Sequence, residues 1–352
     1  MIKVIKHYWL PSLKNRWMNL EKKSSCSPFQ YYSFVYQLWI DYLFVYVVLK
    51  KGIPVFVEIR EDNDTKLIVP LFKHINGTYS FFGEINGSEY CDCIYADGEM
   101  VSRYLQIFHD FLDRKLFRGD MLSTKSQTYS CLSSISGFKE NGRKEYVDIS
   151  FMQGYEFYYK SLSSSVRQNL RTSYNRSIRD GIDLEFLMIC GNKALVKCRI
   201  PYEDFLNIDN RKYELQTLTK HESNNWFSKM ISLYVKRHFE RYGLKTSFVK
   251  KFYLTHLNFS TRCLKSLPNS MTMILLINGQ VAAFMSGYLD ERGRRYIIPR
   301  LSINSDFRFY SPGILLINES ILYFIKETNV QVMDLGMGTE EYKIKMGGVF
   351  HM

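Results

Sequence analysis

The chain has 352 residues, of which 46% are hydrophobic and 16% aromatic, and its formal net charge is +12. This composition excludes an intrinsically disordered chain, which contains few apolar residues, and the length exceeds what one ordinary hydrophobic core needs. We expect two lobes, over residues 1–150 and 151–352. The positive charge favours anionic partners such as nucleic acid, acidic lipid or phosphate-bearing small molecules. A solvated basic surface is the alternative explanation.

The seven cysteines are scattered along the chain. An odd and irregular set does not predict a disulfide framework. Cys91-Asp92-Cys93 has one residue between the thiols, which is too short a spacer for a usual zinc site. We expect no metal, and this use of cysteine favours a reducing cytoplasm.

One apolar segment, residues 31–49, is about as long as a membrane-spanning helix. It contains Gln37 and Asp41, and a charge in the middle of a bilayer is costly. We therefore expect a buried helix, and at most a peripheral contact with the inner face of the membrane. The first residues lack the sustained apolar core of a secretion signal.

The rest of the first half predicts a strand meander followed by a helix. Runs of β-branched and aromatic residues are separated by turn residues, and Asn76-Gly77 is a strong hairpin signal. Apolar residues at helical spacing follow. The predicted elements are strands over 54–60, 67–72 and 79–82, a helix over 101–116, an irregular segment over 123–136, and a strand over 146–150 that ends the first half.

The second half repeats this plan, with a strong turn at Asn278-Gly279. Its predicted elements are helices over 151–179, 202–218 and 224–242, a strand over 184–190, strands over 271–277, 280–288 and 295–302, a helix over 313–328, and a strand over 330–335. Both halves contain a helix, three strands and a helix, which indicates an internal duplication offset by roughly 215–220 residues. Gly243 is expected to end the helix over 224–242.

The segment Ser311-Pro312-Gly313 precedes an amphipathic helix and predicts a phosphate-binding turn. Unpaired N–H groups at a helix start carry partial positive charge and bind phosphate. Glycine lets an anion approach the backbone, and proline costs little there because the N–H that it lacks would have no partner. Arg300 and Arg308 are candidates for the remaining phosphate charge. By itself, a Pro-Gly pair before a helix is also an ordinary turn.

Three strands, such a turn, a helix and a strand are the order of a GNAT acyltransferase core. The stretch Tyr310-Ser-Pro-Gly-Ile-Leu-Leu, followed by Asp334-Leu-Gly-Met-Gly-Thr-Glu-Glu-Tyr-Lys343, resembles the signature of the CelD-like acetyltransferases, which belong with the Fem-type tandem GNAT proteins. Stretches at 81–84, 90–93, 163–171 and 278–283 resemble further family motifs, so the resemblance extends over residues 30–346.

The resemblance implies a mixed-sheet α/β fold, with two tandem GNAT-like lobes and a cleft between them. It also implies acetyl-CoA or another acyl-CoA as co-substrate, with the pyrophosphate bound at Ser311, Pro312 and Gly313. The family usually continues into a final strand after its Tyr-Lys pair. Here the chain ends soon afterwards, so that strand is expected to be missing.

Transfer of an acyl group to an amine needs a base and stabilisation of an oxyanion. Asp334 ends an apolar strand and is a candidate base, as are Glu340 and Glu341. The resemblance implies Tyr342 as the acid for the leaving thiolate, and a backbone N–H near 298–301 as the oxyanion donor. The alternatives are a structural carboxylate at Asp334, surface glutamates, and a tyrosine that only packs.

Several basic residues predict an anionic acceptor site. Arg167 and Arg171 lie one helical turn apart, and Arg179 lies two turns further along the same face. For these arginines the alternative is a basic helix that only faces solvent, and for Lys343 it is an ordinary surface lysine. The candidate acceptor-binding residues are Arg167, Asn169, Arg171 and Lys343.

Three functions remain open. The first is an acyl-CoA-dependent N-acyltransferase acting on an amine, for which the family implies an amino sugar in polysaccharide or envelope synthesis. The second is a Fem-type transferase that uses aminoacyl-tRNA, although the sequence shows neither a coiled-coil arm nor a clustered Lys/Arg tract, so nucleic acid is the less favoured partner. The third is a non-enzymatic binding protein that retains the fold. The sequence does not determine the oligomeric state.

Overall fold

The structure is a computed structural model that describes residues 1–351, apart from 50–51, 84–89, 113–115, 120–121, 124, 136–144, 192, 202, 204–205, 243–266, 268 and 291. The side chains of 41–49, 238–239 and 241–242 are also outside the described set. The chain divides into two compact units, residues 1–144 and 145–351. Each unit contains its own mixed sheet, which confirms the expected mixed α/β fold.

The first unit contains one sheet with helices. Its strands are β1 (Ile2–His7), β2 (Gly52–Glu61), β3 (Asp64–His74), β4 (Tyr79–Phe81), β5 (Ile94–Tyr95) and β6 (Phe117–Arg118), and its helices are α1 (Lys14–Glu21), α2 (Tyr32–Leu49), α3 (Val101–Leu112) and α4 (Gln127–Ser134). The sheet order is β1-β2-β3-β4-β6, and β5 pairs with β3. The predicted meander and the helix after it are confirmed. The helix α4, which Ser126 caps, lies in the segment predicted to be irregular.

The hairpin between β2 and β3 is tighter than the sequence suggested. Glu61 pairs with Asp64, so only Asp62 and Asn63 form the turn. Both have positive φ, 48° and 71°, which is the geometry of a two-residue turn that matches the twist of the flanking strands. The apolar helix predicted over 31–49 is confirmed as α2, and the side chains of Phe34, Val35 and Leu38 are buried. Among the described helices, none is both long and apolar enough to cross a bilayer.

The second unit is built on a nine-stranded sheet. Its strands are β7 (Tyr146–Ser150), β8 (Leu184–Cys190), β9 (Ala194–Arg199), β10 (Glu214–Thr217), β11 (Ser270–Ile277), β12 (Gln280–Leu289), β13 (Arg295–Ile303), β14 (Val332–Met337) and β15 (Gly348–His351). Its helices are α5 (Tyr155–Ser161), α6 (Ser164–Arg179), α7 (Lys220–Tyr242), α8 (Pro312–Glu327) and α9 (Glu341–Lys345). The sheet order is β10-β9-β8-β11-β12-β13-β14-β7-β15.

Each face of this sheet has its own core. The larger core includes Leu170 of α6 and Leu316 of α8, packed with Met273 and Met285 from the central strands. The opposite core joins Phe227 and Met230 of α7 to the other face of the same strands. The elements α6 and α8 therefore lie on one face of the sheet, and α7 lies on the other.

The strand β7 differs from the prediction that it closes the first half. It lies in the second unit, between β14 and β15, and is antiparallel to both. The expectation that the final strand is missing is wrong, because Gly348–His351 forms β15. Chain segments that are distant in sequence thus complete this edge of the sheet, which a local pattern cannot reveal.

Two predicted helices of the second half need correction. The one over 151–179 is two helices, because Ser163 caps α6 by accepting a hydrogen bond from the Val166 N–H at 3.3 Å. The helix predicted over 202–218 is wrong in its described part, where Glu214–Thr217 forms β10 and pairs with β9. Tertiary pairing overrides local propensity there. The helix predicted over 224–242 is confirmed as α7, and Gly243 lies outside the described residues.

The two units share one connectivity. In the first, β2, β3 and β4 are antiparallel neighbours, α3 follows, and β6 is parallel to β4. In the second, β11, β12 and β13 are antiparallel neighbours, α8 follows, and β14 is parallel to β13. This shared order is what the proposed internal duplication predicts.

Candidate active site

The strands β13 and β14 separate shortly after they begin to pair. Their parallel register contains three pairs and ends with Ile297 opposite Asp334. Beyond this step β13 continues to Ile303 and β14 continues to Met337 without pairing to each other. The two strands therefore splay apart towards their C-terminal ends, which leaves a notch in the middle of the sheet.

A β-bulge lies at the start of the notch. In the ladder between β12 and β13, Ser286 pairs with Arg300 and Tyr288 pairs with Ile297, so Gly287 faces two residues, Ile298 and Pro299. A Cβ on Gly287 would lie 2.1 Å from the Ile297 carbonyl oxygen. Only glycine fits this approach. The proline at the bulge has no N–H to donate, which is consistent with its position there.

The helix α8 begins at the same end of the sheet. Ser311 precedes it with φ 48° and ψ 52°, and its side chain does not cap the helix. Its carbonyl accepts hydrogen bonds from the N–H groups of Ile314 and Leu315 at 3.0 and 3.2 Å. Pro312 has no N–H, and the Gly313 N–H has no acceptor among the described residues. The first turn thus presents one free donor and the positive end of the helix dipole.

The helix α6 holds this turn in place. The Ser311 hydroxyl donates to Asn169 Oδ1 at 2.9 Å. The Arg176 guanidinium donates to the Phe309 carbonyl at 3.0 Å, and the Tyr310 hydroxyl donates to Asp180 at 3.0 Å. Asn169 therefore positions the helix start, a role that its predicted place in an acceptor site did not include.

The two predicted phosphate arginines have different surroundings. Arg308 belongs to the 3₁₀ turn Ser305–Tyr310 just before α8 and is exposed. Its guanidinium has no hydrogen-bond or ion-pair partner within the part of the chain that the structure describes. The Arg300 guanidinium donates to the carbonyl of Pro299 at 2.7 Å and lies next to the bulge.

Asp334 is completely buried, at the last paired step before the notch. Its Oδ2 accepts hydrogen bonds from Arg295 Nη2 at 2.9 Å and Nε at 3.3 Å, and its Oδ1 accepts one from the Gly336 N–H at 2.8 Å. Both carboxylate oxygens are thus engaged in holding the end of β14. This arrangement supports the structural role for Asp334 over that of a base.

The Arg295 guanidinium is the centre of a larger ion-pair cluster. Its Nη2 is 2.6 Å from Asp148 Oδ1 and 3.1 Å from His351 Nε2. The ligand atoms of Asp148, Asp334 and His351 all lie within 4.8 Å of one another, as in a metal site. The guanidinium remains protonated in proteins and already supplies the positive charge between them. The cluster ties together β13, β14, β7 and β15.

Lys343 is buried, with its side chain 4% exposed. Its Nζ lies 2.8 Å from the Met337 carbonyl, 3.3 Å from that of Gly336 and 3.0 Å from Glu340 Oε2. These partners use the three donors of the ammonium group. The geometry makes Lys343 a clamp on the loop after β14 and gives it no donor for an acceptor molecule.

The remaining predicted catalytic residues lie on and beside α9. Glu340 is the residue before this helix and is half-exposed, and Glu341 pairs with Lys345 at 2.6 Å. Tyr342 is 39% exposed. Because α9 directly follows the loop from β14, Tyr342 lies on an element next to the notch, and its role as the acid stays a prediction.

The structure does not gather the arginines of α6 into one site. Arg167 donates to the carbonyls of Lys160 and Leu162, Arg171 lies over the Tyr159 ring at 5.9 Å, and Arg179 pairs with Asp180. The predicted acceptor site therefore lacks geometric support from the contacts of these side chains.

A buried network at the middle of α8 escaped prediction from the sequence. Arg211 and Glu319 form a two-pronged ion pair, with contacts of 2.7 and 2.9 Å, and the exposed fractions of the side chains are 0% and 1%. Tyr174 donates to the same carboxylate, and Asn318 donates to the Tyr174 hydroxyl at 3.2 Å. Polar residues in the otherwise apolar α8 were the available signal, but their partners are more than 100 positions away.

Comparisons with known proteins agree with this geometry. A family model described as an acetyltransferase (GNAT) domain matches residues 164–344. No curated protein matches.

Three solved structures are similar to this chain at low sequence identity, and the first two reach a TM-score of 0.50 or more. A conserved protein of unknown function from Bacteroides thetaiotaomicron has 12% identity and a TM-score of 0.53, over 98% of this chain and 95% of that chain. The C-terminal domain of a putative lysylphosphatidylglycerol synthetase from Agrobacterium fabrum has 12% identity and a TM-score of 0.50, over 81% and 78%. A tandem GNAT protein from the clavulanic acid biosynthesis pathway has 7% identity and a TM-score of 0.47, over 99% and 95%. The chain therefore belongs to the family of acetyltransferase (GNAT) domains, and it is an acyltransferase.

Proposed function

We propose that the protein is an acyl-CoA-dependent N-acyltransferase, with acetyl-CoA as the donor and an amine as the acceptor. The observation that carries this proposal is the notch between β13 and β14, which opens beside the free Gly313 N–H at the start of α8. A pyrophosphate fits the helix start by charge. An extended pantetheine arm fits alongside a strand whose edge has lost its partner.

The residues around the helix start fit coenzyme A. A Cβ on Gly313 would lie 3.0 Å from Ile303 Cγ2 and within 4 Å of no other side chain among the described residues, so glycine suits this position beside its free N–H. In our proposal Ser311, Pro312 and Gly313 form the turn around the pyrophosphate, and Arg308 and Arg300 supply positive charge for the phosphate groups of coenzyme A. Asn169 keeps the turn in shape through its bond to Ser311.

In the reaction, the acceptor amine attacks the thioester carbonyl. A C–N bond forms, the C–S bond breaks, the amine loses one proton and the thiolate of coenzyme A gains one. The bulge supports oxyanion stabilisation, because Ile298 has no partner in the register of either neighbouring strand and Pro299 has no N–H. We assign the oxyanion donor to the Ile298 N–H, and Tyr342 remains our candidate for the acid.

The acceptor we propose is an amino sugar, free or nucleotide-linked, of the kind used in surface polysaccharide synthesis. We propose that the reaction takes place in the cytoplasm, at most in peripheral contact with the membrane. The free cysteines of the described residues are compatible with a reducing compartment.

A thiol-release assay tests this function. The full chain is incubated with acetyl-CoA and a panel of amino sugars and nucleotide-linked amino sugars, and free coenzyme A and acetylated product are measured. We expect one acceptor to give equal amounts of both. If the chain binds aminoacyl-tRNA and transfers its aminoacyl group, while acetyl-CoA neither binds nor reacts, the proposal is wrong.

A further inference from the structure

Arg176, Arg308 and Phe309 form an aromatic and positively charged surface beside the helix start, which we call the Phe309 platform. The Phe309 side chain is 49% exposed, although burial of a large apolar ring stabilises a fold. The Arg176 guanidinium lies over one face of this ring, with its Cζ 4.3 Å from the ring centroid. The Tyr310 ring meets it edge-on at 5.3 Å.

The platform is held in a fixed orientation. Arg176 donates to the Phe309 carbonyl at 3.0 Å, so the same guanidinium fixes both the ring and its backbone. The next residue, Tyr310, is bonded through its hydroxyl to Asp180 at the end of α6. A ring that is already immobilised loses little further entropy when a planar group stacks on it.

The platform carries positive charge that no described carboxylate pairs with at Arg308. Arg308 is exposed and its guanidinium has no partner among the described residues. Of the two nearby carboxylates, Asp180 pairs with Arg179 at 2.8 Å and also interacts with the charge of Arg176, and Asp306 pairs with Lys236 at 2.9 Å. Arg176 and Arg308 therefore add positive charge beside an aromatic ring, which is the combination that binds a phosphorylated nucleoside.

We infer that the Phe309 platform binds the 3′-phosphoadenosine end of coenzyme A, which rests on the proposed function. Phe309 lies four residues before Gly313, so the adenosine reaches the platform when the pyrophosphate lies at the helix start. Adenine stacks with Phe309, and Arg308 binds the 3′-phosphate. The basic side chain of α6 next to this turn, Arg176, thus serves the acyl donor and not the acceptor.

Binding measurements by calorimetry test this inference with acetyl-CoA, acetyl-dephospho-CoA, which lacks the 3′-phosphate, and acetyl-phosphopantetheine, which lacks the whole nucleotide. We expect the wild-type chain to prefer acetyl-CoA over the dephospho form by about tenfold, as for one charge-assisted contact. Arg308→Ala should remove this preference. Phe309→Ala should weaken both nucleotide-bearing ligands by about tenfold and leave acetyl-phosphopantetheine unchanged.

Arg294→Ala is the matched control, because Arg294 is exposed and precedes β13 at the end far from the start of α8. It should leave all three affinities unchanged, and thermal unfolding should show that every variant folds. If the preference for the 3′-phosphate persists in Arg308→Ala, or if Phe309→Ala weakens all three ligands equally, the platform does not bind the nucleotide, whereas the proposed function stands. If the wild-type chain binds none of the three ligands, the inference and the proposed function both fail.

Discussion

Asp334, at the last step where β13 and β14 still pair, accepts at its Oδ2 a hydrogen bond at 2.9 Å from Nη2 of Arg295, which lies at the first paired step. This pair of side chains thus spans the whole paired segment, up to the point where the notch opens. The other Asp334 oxygen holds the Gly336 N–H, so the carboxylate also directs the chain away from β13. Arg295 and Asp334 therefore shape the site by fixing the positions of β13 and β14.

The variant Asp334→Asn separates this positioning role from that of a base. We expect the free energy of unfolding to fall by about 1–3 kcal/mol, because a hydrogen bond to a charged group is weakened inside the protein. We expect kcat to fall while the pH profile of kcat/KM keeps its shape. A loss of the acidic limb of that profile, where a base becomes protonated, together with unchanged stability would show that Asp334 takes the proton. Arg295→Lys, which keeps the charge but loses the planar fork, should resemble Asp334→Asn.

Lys343→Met tests the clamp on the loop after β14. Three carbonyl or carboxylate partners lose their donor, so we expect a loss of about 1–3 kcal/mol of stability in urea unfolding, and an acceptor KM close to that of wild type for whatever activity remains. Lys345→Met is the control, since its partner Glu341 is exposed and such pairs contribute about 0–1 kcal/mol. A raised acceptor KM without loss of stability would restore Lys343 as a binding residue.

Gly287→Ala tests the bulge. The added methyl group would overlap the Ile297 carbonyl oxygen, at 2.1 Å, so β12 and β13 must shift apart. We expect loss of acetyl-CoA turnover together with faster hydrogen exchange in β13. Gly119→Ala, whose methyl group would lie 3.5 Å from the nearest side chain among the described residues, that of Phe117, should leave turnover unaffected. Normal turnover in Gly287→Ala would mean that the bulge is not needed for the reaction.

The first unit carries a pH-dependent contribution to stability at Glu58. Burial raises the pKa of this fully buried carboxyl, but hydrogen bonds from Arg60, Thr65 and His7, together with the charge of Arg16, outweigh burial and lower the pKa below its ordinary value. A lowered pKa in the folded state stabilises the fold fully above the ordinary glutamate pKa of about 4.3, and this stabilisation is lost as the pH falls below it.

Hydrogen exchange of β2 and β3 at pH 7 and at pH 3.5 measures this contribution. After correction for intrinsic exchange rates, the wild-type chain should lose protection at the lower pH, and Glu58→Gln should start with less protection and change less. Equal changes in the two proteins would contradict the account of Glu58.

Local signals in the sequence were enough for part of this fold. Asn278-Gly279 fixed one hairpin, and Ser311-Pro312-Gly313 marked the start of α8 to within one residue. Non-local contacts were not accessible in the same way. The burial of Lys343 depends on how α9 folds back onto the loop after β14, and the pair of Arg211 with Glu319 depends on packing between segments 108 positions apart.

The candidate site likewise combines features that local sequence signals predict with features that depend on non-local contacts. Gly313 and the start of α8 could be predicted from local sequence signals. The notch could not, because it depends on the register of β13 with β14 and on the insertion of β7 beside β14. Asp334 looked like a candidate base because it ends an apolar strand. One partner, Arg295, lies on another strand and engages Oδ2, and the Gly336 N–H engages Oδ1, so only the folded structure shows that both carboxylate oxygens are engaged.

Calorimetric titration of the full chain with acetyl-CoA, in the wild type and in Gly313→Val, tests the central claim most directly. We expect saturable binding to the wild type and a Kd raised by at least about tenfold in the variant, because the side chain blocks access to the Gly313 N–H. Ile303→Ala in the same variant relieves crowding at the 3.0 Å contact and should not restore affinity. Equal affinity in the wild type and in Gly313→Val, or no binding to the wild type, would contradict a coenzyme A site at this helix start.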